Sequence, residues 1–248
     1  MGVVCLFAFA AAGNVAFGEV VKIVSPPTAS GAEGNSSITP NRNQIRVQYL
    51  IPASEFAGLP ATHRRIVGFN FRSDRTQTTP VNWTFPSEQI WMSTTSLNNL
   101  TTTFDANQGA DKTLVFNGAV TYPLLGSGPA AGPRNIADGL KLQSPFFYDP
   151  SMGNLLIEEK RFDGNYPVPA TLDVVSGSGI GGRLLLNDPG PNAPTGILLA
   201  SFPVLQIEFD VVPEPSTFAL AGFAFTSLIS LRRKSRIPRL GYRFRIAR

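Results

Sequence analysis

Leu205-Gln206-Ile207-Glu208-Phe209-Asp210-Val211 is the stretch whose reading decides the fold. Leu205, Ile207, Phe209 and Val211 alternate with Gln206, Glu208 and Asp210. A period of two lets an extended strand bury one face and keep the other polar, whereas a helix would scatter the same apolar residues around its axis. The pattern recurs upstream. Ile45, Val47, Tyr49 and Ile51 alternate with Arg46, Gln48 and Leu50, and Val67, Phe69 and Phe71 alternate with Gly68 and Asn70. Shorter strand-like runs lie at 89–93, 113–116, 154–158, 170–175, 183–186 and 196–200. Turn-forming clusters such as Gly126-Ser127-Gly128-Pro129 and Asp188-Pro189-Gly190-Pro191 separate them, and no stretch before residue 216 keeps a helical period over three turns. Many short strands with Gly- and Pro-rich connections predict an all-β fold, a β-sandwich of jelly-roll type. Residues 28–43, rich in Ser, Gly and Asn, read as a loop or a leader into the first long strand.

The chain has 248 residues, so residues 19–211 are long enough for one extracytoplasmic domain with a real core. The formal net charge of +4 misleads about partners. Eight of the 21 basic residues follow residue 231 and none of the 17 acids do, which leaves 13 against 17, a net of −4, for everything before. A body of that charge carries no electrostatic footprint for nucleic acid.

Both ends read as targeting segments. Residues 3–12 are apolar, and Ala16-Phe17-Gly18 places small residues at the two positions a signal peptidase reads, so a signal peptide over 1–18 is expected, with cleavage before Glu19. No Lys or Arg precedes Lys22; a start codon assigned too late explains the missing basic region. Cys5, the single cysteine, leaves with the peptide. The mature chain then has no disulfide framework, no Cys-ligated metal and no thiol nucleophile.

At the other end, Val212-Pro213-Glu214-Pro215 precedes an uncharged run containing Phe218, Leu220, Phe223, Phe225, Leu228, Ile229 and Leu231, and Arg232, Arg233, Lys234 and Arg236 follow it. As a helix, 216–231 reaches about 24 Å against a hydrocarbon core of about 30 Å. The flanks decide. Two prolines bar helix continuation upstream, while the basic cluster snorkels into headgroups and holds the C-terminus in the cytoplasm. A single transmembrane helix is expected, with the body outside.

This order of Pro-Glu-Pro, short apolar helix and arginines resembles the PEP-CTERM sorting signal of Gram-negative bacteria, with Pro213, Glu214 and Pro215, the helix from Phe218, and Arg232 and Arg233 as the matching residues. The resemblance implies handling by an exosortase, a membrane protease-transpeptidase, with this chain as its substrate. Residues 237–248 depart from the pattern by adding Arg239, Arg243, Arg245 and Arg248, and read as a basic cytoplasmic tail or a misread gene end. A second resemblance, to the body of PEP-CTERM proteins of unknown function, is carried by Phe69-Asn70-Phe71-Arg72-Ser73-Asp74, Met92-Ser93-Thr94-Thr95, Phe104-Asp105-Ala106-Asn107-Gln108-Gly109-Ala110-Asp111, Val115-Phe116-Asn117-Gly118, and Pro145-Phe146-Phe147-Tyr148-Asp149-Pro150 followed by Gly153-Asn154-Leu155-Leu156. It implies no activity.

Catalytic constellations are sparse. Gly177-Ser178-Gly179-Ile180-Gly181-Gly182 fits G-x-G-x-x-G, but 183–187 runs into Pro189 rather than the helix a pyrophosphate needs, so it reads as a loop. His63, the single histidine, stands beside Arg64 and Arg65 in a solvated loop, and no G-x-S-x-G elbow exists for it to serve. Glu158 and Glu159 are adjacent on a strand, point to opposite faces and cannot flank one glycosidic bond; with Lys160 and Arg161 beside them they read as a solvated strand end. In 105–111, Asp105, Asn107 and Asp111 with Gly109 offer the oxygens and the tight bend of a Ca²⁺ loop, or else an Asx-type turn bonding local amides.

Three classes of function remain at this stage. A non-catalytic cell-surface or extracellular-matrix protein needs only export, sorting and a stable sandwich. A carbohydrate-binding module stacks sugar rings, those of an exopolysaccharide for example, on aromatics such as Trp83, Trp91, Phe146, Phe147 and Tyr148, most of which a core of this size buries. A hydrolase lacks a legible nucleophile, base or metal set.

Overall fold

The computed structural model describes residues 20–39, 44–61, 64–163, 170–177, 184–187 and 190–210. Among them the regular structure is strands and four short 3-10 turns: β1 (Val21–Ser25), β2 (Ser36–Ile38), β3 (Ile45–Ile51), β4 (Arg65–Phe71), β5 (Val81–Thr95), β6 (Thr113–Leu124), β7 (Leu140–Phe147), β8 (Asn154–Asp163), β9 (Leu172–Ser176), β10 (Leu184–Asn187), β11 (Ile197–Leu199), β12 (Ser201–Pro203) and β13 (Leu205–Asp210). The all-β expectation holds. The strand pairs are antiparallel and form a four-stranded sheet in the order β1-β13-β4-β7, a six-stranded sheet in the order β11-β10-β3-β8-β5-β6, and a small sheet β12-β9-β2.

The chain changes sheet repeatedly. It leaves β1 of the four-stranded sheet for β3, returns to β4, crosses to the hairpin β5-β6, returns to β7, crosses to β8, and after β9 to β12 comes back as β13 between β1 and β4. Side chains from both large sheets fill one core. Ile66, Phe69, Phe71, Ile207 and Phe209 come from one sheet, and Tyr49, Trp83, Phe85, Ile90, Tyr122, Leu155 and Ile157 from the other. Phe71 touches Tyr122 and Tyr49 across the interior, with ring centroids 5.3 and 5.9 Å apart. Removing a ring of this size from water contributes on the order of 2–3 kcal/mol, so this seam binds the two sheets together.

The alternation at β13 and β3 is as read, but neither polar face is solvated. Gln206 and Glu208 are buried, as are Arg46, Gln48 and Leu50. Leu100 and Phe104, on the connection from β5 to β6, close over Leu50 and Leu156 to make a second, smaller apolar cluster. At β4 the reading was one residue off at its start. Val67 is passed over in the pairing, since Glu208 and Phe209 of β13 face Gly68 and Ile66, and the bulge turns Ile66 into the core in place of Val67. Within 28–43, the expected loop contains a 3-10 turn (Pro27–Ala29) and β2.

Among the described residues no helix is long and apolar enough to cross a membrane, a statement that does not concern strands. The signal peptide, the sorting motif, the span from Phe218, the basic cluster and the tail all lie outside the described residues.

Candidate functional site

β7 alternates its two phenylalanines. Phe146 enters the core at 4% exposure, while Phe147 stands 62% exposed. The strand ends there, and Asp149 caps the following 3-10 turn (Pro150–Met152), its side chain accepting from the Ser151 amide at 3.0 Å. The turn holds Met152 in solvent beside Phe147. Facing them across a groove of about 300 Å³ are Thr94, Ala110 and Asp111. Three sequence-distant motifs, 92–95, 104–111 and 145–153, thus meet at one surface.

Glycine makes that approach feasible. A Cβ on Gly109 would stand 1.7 Å from the Thr94 carbonyl oxygen, and Gly153, at φ 145°, lies where a Cβ would come within 2.5 Å of the Thr95 oxygen. Tyr148, 1% exposed, donates its hydroxyl to the Gly153 carbonyl at 2.8 Å and ties the turn to the strand. Arg64 pairs with Asp149, whose carboxyl is held below the usual range by the bonds from Ser151 and by Arg64. Of the aromatics considered for sugar stacking, Trp83, Phe146 and Tyr148 are buried and Lys112 lies 4.6 Å over the ring of Trp91, which leaves Phe147 as the open one.

The three residues of the expected calcium loop are each bonded to the protein. Asp105 accepts from Arg46 Nη2 at 2.5 Å, and that bond is the main reason its carboxyl titrates below the ordinary range. Asn107 is fully buried: its oxygen accepts from the Thr101 amide and hydroxyl at 2.8 and 2.9 Å, and its nitrogen donates to Gln48 Oε1 at 2.9 Å. Asp111 accepts from the Thr94 amide at 2.7 Å. Asp105 and Asp111 thus fix the loop onto β3 and β5, while the Asn107 oxygen braces the loop from within and its nitrogen holds it to β3. Beneath them Glu158 accepts from Arg46 Nε at 3.3 Å and from Gln108 Nε2 at 3.0 Å, with Gln48 also donating to it. A different acidic group was not legible in the sequence. Carboxylate oxygens of Glu33, Asp74 and Asp173 lie within 4.8 Å of one another. Three oxygens at that spacing suit a divalent cation. Arg72 pairs with Asp173, its Nε donating at 2.7 Å, and already neutralises part of the cluster.

Glu158 and Glu159 do point to opposite faces, but the solvated strand end does not exist: they are 1% and 0% exposed. Glu159 turns into the sandwich with Arg161, which donates to it from Nη2 at 2.7 Å. Glu88 joins them from β5. There the register shifts between Phe85 and Glu88, around Pro86, so the inward set changes from Trp83 and Phe85 to Glu88, Ile90 and Met92. Tyr122 donates to Glu88 at 3.1 Å, Tyr49 and Tyr122 reach Glu159 at 3.4 and 3.5 Å, and the guanidinium lies 4.0 Å over the ring of Phe85 and 4.5 Å over that of Trp83. Arg161 Nε and Glu88 Oε2 are 3.4 Å apart, close enough to pair but misaligned for a hydrogen bond, and Arg161 Nη1 has no partner.

Burial penalises the ionised carboxylates: Glu88 is pushed up to about 8 and Glu159 in the same direction, against the pull of Arg161. Burial by itself would lower Arg161, but Glu88 and Glu159 outweigh it and hold the guanidinium above its ordinary value. Sequence reasoning missed this cluster because the strand-like run was begun at residue 89 and 158–161 were read as solvated; a signal was Pro86, which cannot donate to a ladder and marks the parity change between Phe85 and Glu88. The cluster has groups for acid-base work but no exposed surface through which a substrate would reach them.

His63 and residues 178–183 of the Gly-rich stretch lie outside the described residues. No protein-family model, no curated protein and no solved structure matches this chain.

Proposed function

We propose that the chain is an exported, non-catalytic protein of the cell surface or extracellular matrix, a jelly-roll sandwich delivered by its C-terminal segment. The segment comprises Val212-Pro213-Glu214-Pro215, a single transmembrane helix from Phe218 to Leu231, and the basic stop at Arg232 to Arg236. Its partners on this reading are the membrane and an exosortase-type processing enzyme. One observation carries the proposal. β13 (Leu205–Asp210), the last described strand, is held on both sides by β1 and β4, so the described residues up to 210 already make up both large sheets. On this reading the strands that build the body lie upstream of the segment that a processing enzyme removes. The jelly-roll assignment is supported by the connectivity: taking β1, β3 to β8 and β13 as eight successive strands, the sheets read 1-8-3-6 and 2-7-4-5, two interleaved Greek keys.

Determination of the mature termini by mass spectrometry, in a host with a working exosortase, tests the proposal. The mature protein lacks the helix from Phe218 and the arginines after it. Replacing Pro213 and Pro215 by Ala lets the helix run upstream through Glu214, removes the extended backbone that a protease cleft requires, and leaves full-length precursor in the membrane. Wild-type protein that keeps its C-terminus overturns the sorting reading and makes the run a plain tail anchor.

The second reading, a carbohydrate-binding surface protein, is favoured by Phe147 and the acidic groove beside it.

A further inference from the structure

We propose that the groove between the 105–111 loop and the 145–153 turn is a glycan subsite, in which Phe147 stacks on one pyranose ring of a polysaccharide without acidic substituents. The proposal goes beyond the sorting reading and does not need it, since binding is measured on purified protein whatever becomes of the C-terminus.

Four features point to this occupant. Phe147 presents its ring at 62% exposure, where the strand's alternation demands only an outward residue, and Met152, 73% exposed, extends the apolar surface beside it. The axial C–H faces of a pyranose need such a flat apolar platform. The groove also carries carboxylates. Asp111 is exposed and uses Oδ1 on the Thr94 amide, at 2.7 Å, while Asp149 is half-buried and bonded to Ser151 and Arg64. Carboxylates accept strongly from sugar hydroxyls and from ammonium groups and repel a uronic or sulfated chain; Arg64 offsets the charge of Asp149, so Asp111 carries this preference, and none of the residues lining the groove is itself a cation. The volume of about 300 Å³ lies at the lower limit for small-ligand sites. That is room for a ring or two of a longer chain.

The walls are set in advance. Asp149 accepts from the Ser151 amide at 3.0 Å and its carbonyl accepts from the Met152 amide at 2.9 Å, while the Tyr148 amide donates to the Arg64 carbonyl at 2.8 Å. Phe147 therefore projects from a fixed turn, and little ordering is lost on binding. An apolar peptide is the competing occupant, but the exposed Asp111 carboxylate on so shallow a surface opposes it.

Titration calorimetry of the full chain in mild detergent, with a glucose hexamer, a glucosamine hexamer and a galacturonic acid hexamer as probes, tests the proposal. The first two bind with dissociation constants in the submillimolar to millimolar range, the glucosamine chain more tightly at low salt, and the galacturonic chain gives no heat. Phe147→Ala weakens binding about tenfold or more with an unchanged melting temperature, because the lost side chain is exposed. Phe147→Trp restores or improves it. Asp111→Asn reduces the preference for glucosamine. The proposal is overturned if neither the neutral nor the amino hexamer binds at millimolar concentration, if Phe147→Ala binds as wild type does, or if the acidic hexamer binds equally well.

Discussion

Glu88→Gln removes one ionisable group from the sandwich core while keeping its shape and its ability to accept from Tyr122. Two carboxyls and one guanidinium lie there at 0–1% exposure, so full ionisation would leave a net negative charge in an apolar medium. The folded protein avoids this by keeping a proton. Glu88 has its pKa pushed up to about 8 from an ordinary 4.5, so below the ordinary value both folded and unfolded chains are protonated and the group is neutral in its effect. Between 4.5 and about 8 the unfolded chain releases a proton that the folded one retains, so stability falls as pH rises, by about 1.4 kcal/mol per pH unit. Across that window the loss is on the order of 5 kcal/mol, and for a domain of this size each kcal/mol moves the melting temperature by roughly 2–4 °C. Thermal unfolding of wild type and Glu88→Gln from pH 5 to 9 provides the assay. From pH 5 the sampled part of the window is about 4 kcal/mol, so wild type loses roughly 8–16 °C more than the variant over the range. Glu55, which burial pushes up to about 7, slopes in the same direction in both proteins and cancels in the comparison. Parallel curves for the two proteins would refute the placement of an extra buried proton at this cluster.

Two further outcomes concern the loop over β3 and β5. Millimolar Ca²⁺ shifts the melting temperatures of wild type and Asp105→Ala equally, because Asp105, Asn107 and Asp111 are bonded to Arg46, to Thr101 and Gln48, and to Thr94; a rise that Asp105→Ala abolishes would return the loop to the cation reading. Gly109→Ala costs roughly 1–3 kcal/mol in a denaturant titration, since its Cβ meets the Thr94 carbonyl oxygen at 1.7 Å and the loop must lift. An unaltered midpoint would show that the loop does not dock as described.

The sequence by itself determined the elements that repeat a simple period. β3 runs over the residues the alternation picked out, Ile45–Ile51, and β13 over Leu205–Asp210, because a side chain's face follows directly from its parity in an extended chain. It also determined that Glu158 and Glu159 part company, for the same reason. What parity leaves open is what covers each face. Whether Glu158 is left to water or covered beside Arg46 depends on a loop about fifty positions earlier, and whether Glu88 points in or out depends on a bulge that resets the count at Pro86. Phe146 and Phe147 are chemically identical in the sequence; only the packing of β7 beside β4, with β13 behind them, makes one a core residue and the other the open ring of a groove. Local alternation is a property of the backbone alone, whereas burial of a polar face, the retention of a proton by a buried carboxyl and the meeting of three distant motifs are set by which strands become neighbours.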